Sequence, residues 1–144
     1  MIRRVFGGRG ERDGSLASFL GPLEIRVLEC LWRRGGEVSV RGMQEDFPGA
    51  AYTTLMTTLD RLFKKGLLAR TRHGKAYRYL PRFSREGLLD HLAKGTITRL
   101  LDASPGGGAV RPLLSTFVEA VGRRDALLLD ELEALIRAAR RKRP

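Results

Sequence analysis

A chain of 144 residues, 42% of them hydrophobic, is long enough for one globular domain and a smaller unit, and too short for a large enzyme. Its formal net charge of +11 is uneven: eight Lys or Arg residues and no acidic residue lie between Arg61 and Arg82, which favours a polyanionic partner. The single cysteine, Cys30, excludes an intramolecular disulfide and a cysteine-cluster metal site, and it fits a reducing cytoplasm.

The terminal segments predict neither export nor membrane insertion. Residues 1–19 contain arginines but lack the apolar segment of a secretory signal, so we interpret them as a flexible extension of a cytoplasmic protein. No uninterrupted apolar run approaches the roughly 20 residues that a membrane helix needs, so no membrane insertion is expected. The basic run from Arg140 to Arg143 is interpreted as a solvated tail.

Two helices are predicted next. The first begins near Pro22 and ends near Arg34, before two glycines, and its apolar residues recur at helical spacing. Val38 follows as a short extended element, and Ser39 can cap a short helix over residues 40–47. The residues of this second helix that should point inward are Val40, Met43 and Phe47.

A third helix is predicted in the segment YTTLMTTLDRLFKKG, from Tyr52 to Gly66. At about 100° per residue, its leucines fall on one side with Phe63 and Tyr52 beside them, and Thr58 lies near the boundary. The opposite side gathers hydroxyls and cations: Thr53, Thr54, Thr57, Arg61, Lys64 and Lys65. Hydroxyls and methyl groups can reach base edges while cations bind phosphates, so this side suits duplex DNA. A solvated face on a structural helix explains this segment equally well.

After Gly66 the pattern becomes extended. Strands are predicted over residues 67–72 and 75–80, joined by His73 and Gly74 in a type I′ hairpin turn. A hairpin beside the third helix is a wing, and its cations are available for the sugar-phosphate backbone: Arg70, Arg72, Lys75 and Arg78. The alternative interpretation is a solubilising hairpin, which the like-charged neighbouring helix disfavours. Tyr77 and Tyr79 share a strand face and are expected to pack in the core.

Residues 83–144 are predicted to form a second, helical unit. Ser84 can cap a long apolar-striped helix, and two further helices should span about Val110 to Val121 and Asp125 to Arg140. Apolar residues spread over more than one side of the last helix, in a unit too small for a full core. We therefore expect a homodimer, the alternative being packing onto the first domain. The expected dimerisation residues are Leu113, Leu114, Phe117, Val118, Leu128, Leu132, Leu135 and Ile136.

Three stretches, LEIRVLECLWRRG, YTTLMTTLDRLFKKGLL and RTRHGKAYRYLP, resemble the BlaI/MecI/CopY penicillinase-repressor family of bacterial transcriptional regulators. The resemblance is strongest over about Leu20 to Pro81. It implies a mostly α fold with a small β-wing: a winged helix-turn-helix DNA-binding domain over residues 20–82 and a helical dimerisation domain over 83–144. It also implies a dimeric repressor that occupies a palindromic operator in double-stranded DNA, with Thr54, Thr57 and Arg61 at positions that touch DNA.

Two family properties depend on residues that differ here. Met56 stands where some members have arginine, so the operator sequence is expected to differ, and the absence of C-terminal cysteines argues against copper sensing. In members that respond to β-lactams, a membrane sensor leads to cleavage of the repressor beside a phenylalanine. The matching bond joins Thr116 to Phe117, but threonine replaces asparagine. Cleavage there is a hypothesis, and Phe117 as ordinary interface core is the interpretation that we favour.

Other function classes have weaker support. His73 and His91 have no carboxylate or nucleophile in a recognisable constellation, and Cys30 lies in an apolar helix where a buried structural thiol is expected. No enzyme activity, metal or cofactor is therefore predicted. A winged-helix regulator that senses a small molecule between its domains remains the alternative function, and a winged helix that binds only protein is a third interpretation.

Overall fold

The computed structural model describes residues 16–103, 106, 108 and 110–144. Residues 1–15, which hold most of the predicted N-terminal extension, lie outside the described residues. The chain divides into two compact units, with the division between Gly95 and Thr96.

Unit 1 has the predicted order of elements. Its helices are α1 (Pro22–Arg34), α2 (Val40–Gln44), α3 (Tyr52–Lys64) and the first part of α4 (Arg85–Asp102), and its strands are β1 (Val38–Ser39), β2 (Leu68–His73) and β3 (Ala76–Pro81). The three strands form one antiparallel sheet in the order β1-β3-β2. The expected mostly α fold with a small β-wing is confirmed.

Local chemistry explains where α1 and α2 begin and end. Pro22 occupies the first turn of α1, and the Glu24 side chain accepts a hydrogen bond of 3.1 Å from the backbone N–H of Gly21. Gly35 ends α1 with φ of +73°, a conformation that glycine adopts without steric cost. The Ser39 hydroxyl accepts from the N–H of Gly42 at 3.1 Å, so the predicted cap of α2 is confirmed.

The core of unit 1 unites the apolar sides of α1, α2 and α3 with the sheet. Val40, Met43 and Phe47 are buried, as the sequence pattern predicts. Leu16, which lies in the predicted N-terminal extension, is also buried, with 1% of its surface exposed. Leu16 therefore belongs to the packed unit, because its apolar side chain fills part of the core.

The hairpin turn differs from the prediction. His73 pairs with Ala76, so the two loop residues are Gly74 and Lys75 rather than His73 and Gly74. Gly74 has φ of +65°, and no described non-glycine residue has a positive φ. A type I′ turn needs positive φ at both loop residues, whereas glycine at the first position alone suits type II′. The predicted turn type is therefore wrong.

The first part of α4 packs in unit 1. Ser84 caps it as predicted, accepting from the N–H of Gly87 at 3.1 Å. Leu88 is buried, and Trp32 of α1 donates from its indole Nε1 to the carbonyl of Phe83 at 2.8 Å. These contacts explain why unit 1 ends at Gly95, beyond the domain boundary at residue 82 that the sequence predicts.

Unit 2 contains the end of α4, α5 (Val110–Arg124) and α6 (Ala126–Lys142). Asp125 caps α6 by accepting from the N–H of Leu127 at 2.9 Å. At Gly122 an added Cβ would lie 3.2 Å from Leu129 Cδ1, so the glycine permits close approach of α5 and α6. None of the described side chains of α5 and α6 is buried. Across the described ranges, no helix is both long and apolar enough to span a bilayer.

Candidate nucleic-acid interface

Helix α3 divides into a buried and an exposed side. Its leucines Leu55, Leu59 and Leu62 are fully buried, and Thr58 is 6% exposed. The Thr58 hydroxyl donates to the carbonyl of Thr54 at 2.8 Å, which satisfies it at the edge of the core. The residues on the exposed side are Thr53, Thr54, Thr57, Arg61 and Lys64. The predicted division of threonines between the two sides is thus confirmed.

Two larger side chains extend this exposed surface. Tyr52, expected beside the core, is 40% exposed, and Met56 is 42% exposed. On a helical wheel Met56 lies about 60° from Thr53, so its place beside the hydroxyl face could have been read from the sequence. The exposure of Tyr52 could not, because it depends on which neighbour covers the first turn of α3.

The cations of α3 differ in their partners. Lys64 Nζ lies 2.9 Å from Asp60 Oδ2, an i,i+4 pair on the helix surface. Lys65 Nζ lies 2.8 Å from Glu24 Oε2, which links the end of α3 to the start of α1. Within the described part of the chain, Arg61 makes no ion pair or hydrogen bond through its side chain. Arg61 is therefore the α3 cation most readily available to an external anion.

The wing cations also fall into two groups. Arg72 donates from Nε to the carbonyl of Gly74 at 3.1 Å and remains exposed. Lys75 and Arg78 are exposed and, among the described residues, have no side-chain partner. Arg70 instead is only 23% exposed, and its NH1 lies 3.1 Å from Asp60 Oδ1. Arg70 thus lies between the wing and α3 rather than at the outer edge.

Asp60 and Glu37 are acidic residues that contact strand β2 of the wing. The hydrogen bond from Lys64, then the one from Arg70, lowers the pKa of the Asp60 carboxyl. Glu37, in the loop before β1, accepts from the Thr71 hydroxyl at 2.8 Å, and its other oxygen lies 3.5 Å from His73 Nε2. Among the described residues, these two acidic side chains make polar contacts with the wing, and both remain partly exposed.

Arg82 is a further cation near α3, and it is not among the site residues that the sequence predicts. Its NH1 donates to the carbonyl of Gly66 at 3.2 Å, at the turn that follows α3, and the side chain is otherwise exposed. The sequence does contain a signal for Arg82, because the segment that ends there has eight cations and no acidic residue.

Cys30 is fully buried, as predicted. Its thiol donates to Asp46 Oδ2 at 2.9 Å, and Arg34 Nε lies 2.6 Å from the same oxygen. Burial, reinforced by the hydrogen bond to Asp46, raises the pKa of the Cys30 thiol. A protonated, buried thiol is a poor nucleophile, so this cluster is a structural link between α1 and the end of α2.

Most of the predicted DNA-binding residues are thus exposed on two elements of unit 1, α3 and the wing. Thr53, Thr54, Thr57, Arg61 and Lys64 come from α3, and Arg72, Lys75 and Arg78 come from the wing. Lys65 and Arg70 are held by acidic partners within unit 1. Contact between these residues and DNA stays a prediction. Among the described residues, no group of three or more His, Cys, Asp or Glu side chains could hold a metal ion.

Unit 2 carries an apolar groove of about 480 Å³. It is lined by Ile97, Leu100, Leu101, Leu113, Leu114, Thr116, Phe117 and Ala120. Of the predicted dimerisation residues, Leu113, Leu114, Phe117, Val118, Leu135 and Ile136 are exposed, whereas Leu128 and Leu132 are half-buried. The α4 residues of the groove belong to the apolar stripe in the sequence, but were not assigned to the interface beforehand.

Comparison with known proteins shows which family the chain is related to. The penicillinase repressor family model matches residues 20–138. The transcriptional regulator BlaI of Mycobacterium tuberculosis, from strains CDC 1551 / Oshkosh and H37Rv, is 36% identical over 128 residues, covering 87% of this chain and 90% of the relative.

Two solved structures have more distant similarity. A MarR family protein from Bacillus stearothermophilus matches at a TM-score of 0.46 and 16% identity, over 92% of this chain and 90% of its own. The transcriptional regulator BldR from Sulfolobus solfataricus matches at 0.43 and 16%, over 85% and 90%. The sequence relationship alone decides the family: the chain belongs to the penicillinase repressor (BlaI/MecI/CopY) family, whose members are transcriptional regulators and not enzymes.

Proposed function

We propose that this chain is a dimeric repressor that binds a palindromic operator in double-stranded DNA. The observation that carries the proposal is the exposed side of α3, which presents three threonines and Arg61, a cation without an ion-pair partner among the described residues. The wing, which contacts α3 through Arg70 and Asp60, presents further exposed cations. The relative BlaI is named a transcriptional regulator, which supports the same role. A protein that acts on the chromosome of a bacterium is expected in the cytoplasm.

In the proposed complex, α3 enters the major groove. Thr53, Thr54 and Thr57 are short, so the helix backbone can approach the base edges, where a hydroxyl bonds and a threonine methyl contacts thymine. Arg61 and Lys64 lie further along the same side and bind phosphates. Met56, exposed beside the threonines, adds an apolar contact that is independent of charge.

The wing binds the flanking backbone in this proposal. Arg72, Lys75 and Arg78 are exposed cations on a short hairpin, and such cations gain affinity by releasing counterions from DNA. This contribution is insensitive to base sequence. It therefore adds affinity for all duplexes, while the threonine face of α3 supplies the preference for an operator.

A second copy of the chain is the proposed occupant of the apolar surface in unit 2. None of the described side chains of α5 and α6 is buried, although both helices carry several large apolar residues. Leu114, Phe117 and Ile136 are 46% to 56% exposed, which is costly for large apolar side chains in water. Pairing two copies covers this surface and gives the protein two α3 helices for two half-sites.

Binding of variants over a salt series tests the DNA interface. Arg61→Ala should weaken binding to operator and scrambled duplexes alike, and should lower the slope of log affinity against log salt by about one unit per protomer. Thr57→Ala should weaken operator binding by about 1 to 3 kcal/mol and leave scrambled DNA unaffected. Equal effects of both variants on both duplexes would contradict this division of roles. Glu119→Ala, an exposed change in unit 2, is the control.

Relief of repression by cleavage between Thr116 and Phe117 is a further part of the proposal. This bond lies inside α5 and beside the apolar groove, so cutting it would split a helix that supplies the dimer surface. A membrane sensor and protease system would supply the signal. The intact mass of the repressor, followed in cells treated with inducer, should show two fragments. Derepression with unchanged mass would exclude the cleavage.

Direct sensing of a small molecule is the second candidate. The observation in its favour is the groove itself, whose volume of about 480 Å³ and apolar lining resemble those of ligand sites. A ligand there should compete with the second copy of the chain. Titration of operator affinity with apolar ligands distinguishes the two mechanisms, since cleavage changes mass and a ligand does not.

A further inference from the structure

Arg70 occupies an unusual position among the wing cations. Its guanidinium carbon lies 3.9 Å from the centre of the Phe63 ring on α3 and 4.1 Å from the centre of the Tyr77 ring on β3. The side chain also reaches Asp60 on α3 at 3.1 Å. One guanidinium therefore contacts two aromatic rings and one carboxylate that come from both α3 and the wing.

The geometry of the hairpin explains this arrangement. Arg70 lies opposite Tyr79 in the sheet, and Tyr77 lies opposite Arg72, so Tyr77 is the diagonal neighbour of Arg70 on the same face. Tyr79 is buried, whereas Tyr77 is 36% exposed. Phe63 is half-buried at the end of α3. Arg70 thus fills the space between the exposed ring of the wing and the ring at the end of α3.

We propose that Arg70 is a positioning residue, which fixes the wing relative to α3 through Phe63, Tyr77 and Asp60 and does not itself bind phosphate. The inference rests on the proposed function, because a fixed wing matters for binding DNA. A wing held in place before binding presents Arg72, Lys75 and Arg78 with a smaller loss of backbone conformational entropy on contact with the duplex.

Arginine suits this role better than lysine. Its planar guanidinium stacks on aromatic faces and still donates from its edge, and a compact ammonium cannot do both. The pair with Asp60 has a second consequence, because Asp60 also pairs with Lys64 on the DNA-facing side of α3. Removal of the Arg70 guanidinium leaves that carboxylate with one cation fewer.

The test compares Arg70→Lys and Arg70→Met with the matched changes Arg72→Lys and Arg72→Met, two residues along the same strand. Hydrogen exchange of the free proteins comes first, with the amides of β2 and β3 measured relative to those of α1. We expect faster exchange of amides along both strands in the two Arg70 variants, and in the two Arg72 variants at most a local change beside Gly74, whose carbonyl accepts from Arg72. Unchanged exchange in the Arg70 variants would overturn the proposal, whether or not the protein binds DNA.

Operator binding over a salt series then separates positioning from phosphate contact. We expect Arg70→Lys and Arg70→Met to weaken binding about tenfold with the same salt slope as wild type, and Arg72→Met to lower the slope by about one unit per protomer. If Arg70→Lys bound the operator as tightly as wild type while Arg70→Met lowered the salt slope, Arg70 would be a phosphate-binding residue and the proposal would be overturned. Wild-type protein with no salt-dependent DNA affinity would contradict the proposed function, while the exchange result would still decide the role of Arg70 in the wing.

Discussion

Replacing Phe117 by alanine should weaken the dimer more than it changes either protomer. Phe117 lies in the apolar groove of unit 2 with 54% of its surface exposed. Burying a whole phenylalanine side chain contributes about 1.5 to 3 kcal/mol, so burying its exposed half contributes roughly 1 kcal/mol. A symmetric dimer contains two copies of Phe117, which gives about 2 kcal/mol and an increase in the dimer Kd of about 30-fold.

Sedimentation equilibrium over a range of protein concentrations measures this change directly. Glu119→Ala is the control, because Glu119 is an exposed polar residue of the same helix, about 160° away from Phe117 around the helix axis. We expect the control to leave the dimer Kd within about twofold of wild type. The interface would be misassigned if Phe117→Ala left the Kd unchanged, or if wild-type protein stayed monomeric at concentrations where it binds operator tightly.

Three further predictions concern the stability of unit 1. Leu59→Ala, at a fully buried position, should cost about 2 to 5 kcal/mol in urea unfolding, and a loss below 1 kcal/mol would contradict the assignment of this side of α3 to the core. Gly35→Ala should lower the free energy of unfolding by about 1 kcal/mol because φ is +73° at this position, whereas Gly36→Ala should leave it nearly unchanged. Equal losses in the two variants would show that backbone strain at Gly35 is not responsible. The hydrogen bond from Cys30, then the one from Arg34, lowers the pKa of Asp46. The ionised Asp46 carboxylate therefore stabilises the fold above about pH 4, and this stabilisation is lost as the pH falls through the lowered pKa. Asp46→Asn should reduce the free energy of unfolding at pH 7 and change it less at pH 2, and an equal change at both pH values would refute the linkage.

The helices were predictable because their signals are local. Apolar spacing, Pro22 in the first turn, glycine after Arg34 and the capping hydroxyls of Ser39 and Ser84 each act within a few residues, and the structure confirms them. The hairpin turn was predicted one residue too early. The strand periodicity alone could not decide which residue paired with Ala76, since register depends on how the buried Tyr79 fits the core.

The contacts that divide the cations into paired and unpaired groups were not predictable. Glu24 and Lys65 are 41 residues apart, and only the packing of α1 against the end of α3 brings them together. The position of Arg70 between Phe63 and Tyr77 likewise depends on tertiary structure. Asp60 and Lys64 are the exception, because the i,i+4 spacing of opposite charges on a helix predicts their pairing.

Photocrosslinking from position 57 tests most directly whether the exposed side of α3 lies against a duplex. Thr57→Cys and Thr98→Cys proteins would each carry an aryl azide on the new thiol, and Cys30 should not react because it is fully buried. Thr98 is an exposed residue of unit 2 and serves as the matched control. We expect ultraviolet light to link DNA to position 57 and not to position 98. Full DNA affinity of the labelled protein without crosslinking at position 57 would contradict the proposed interface.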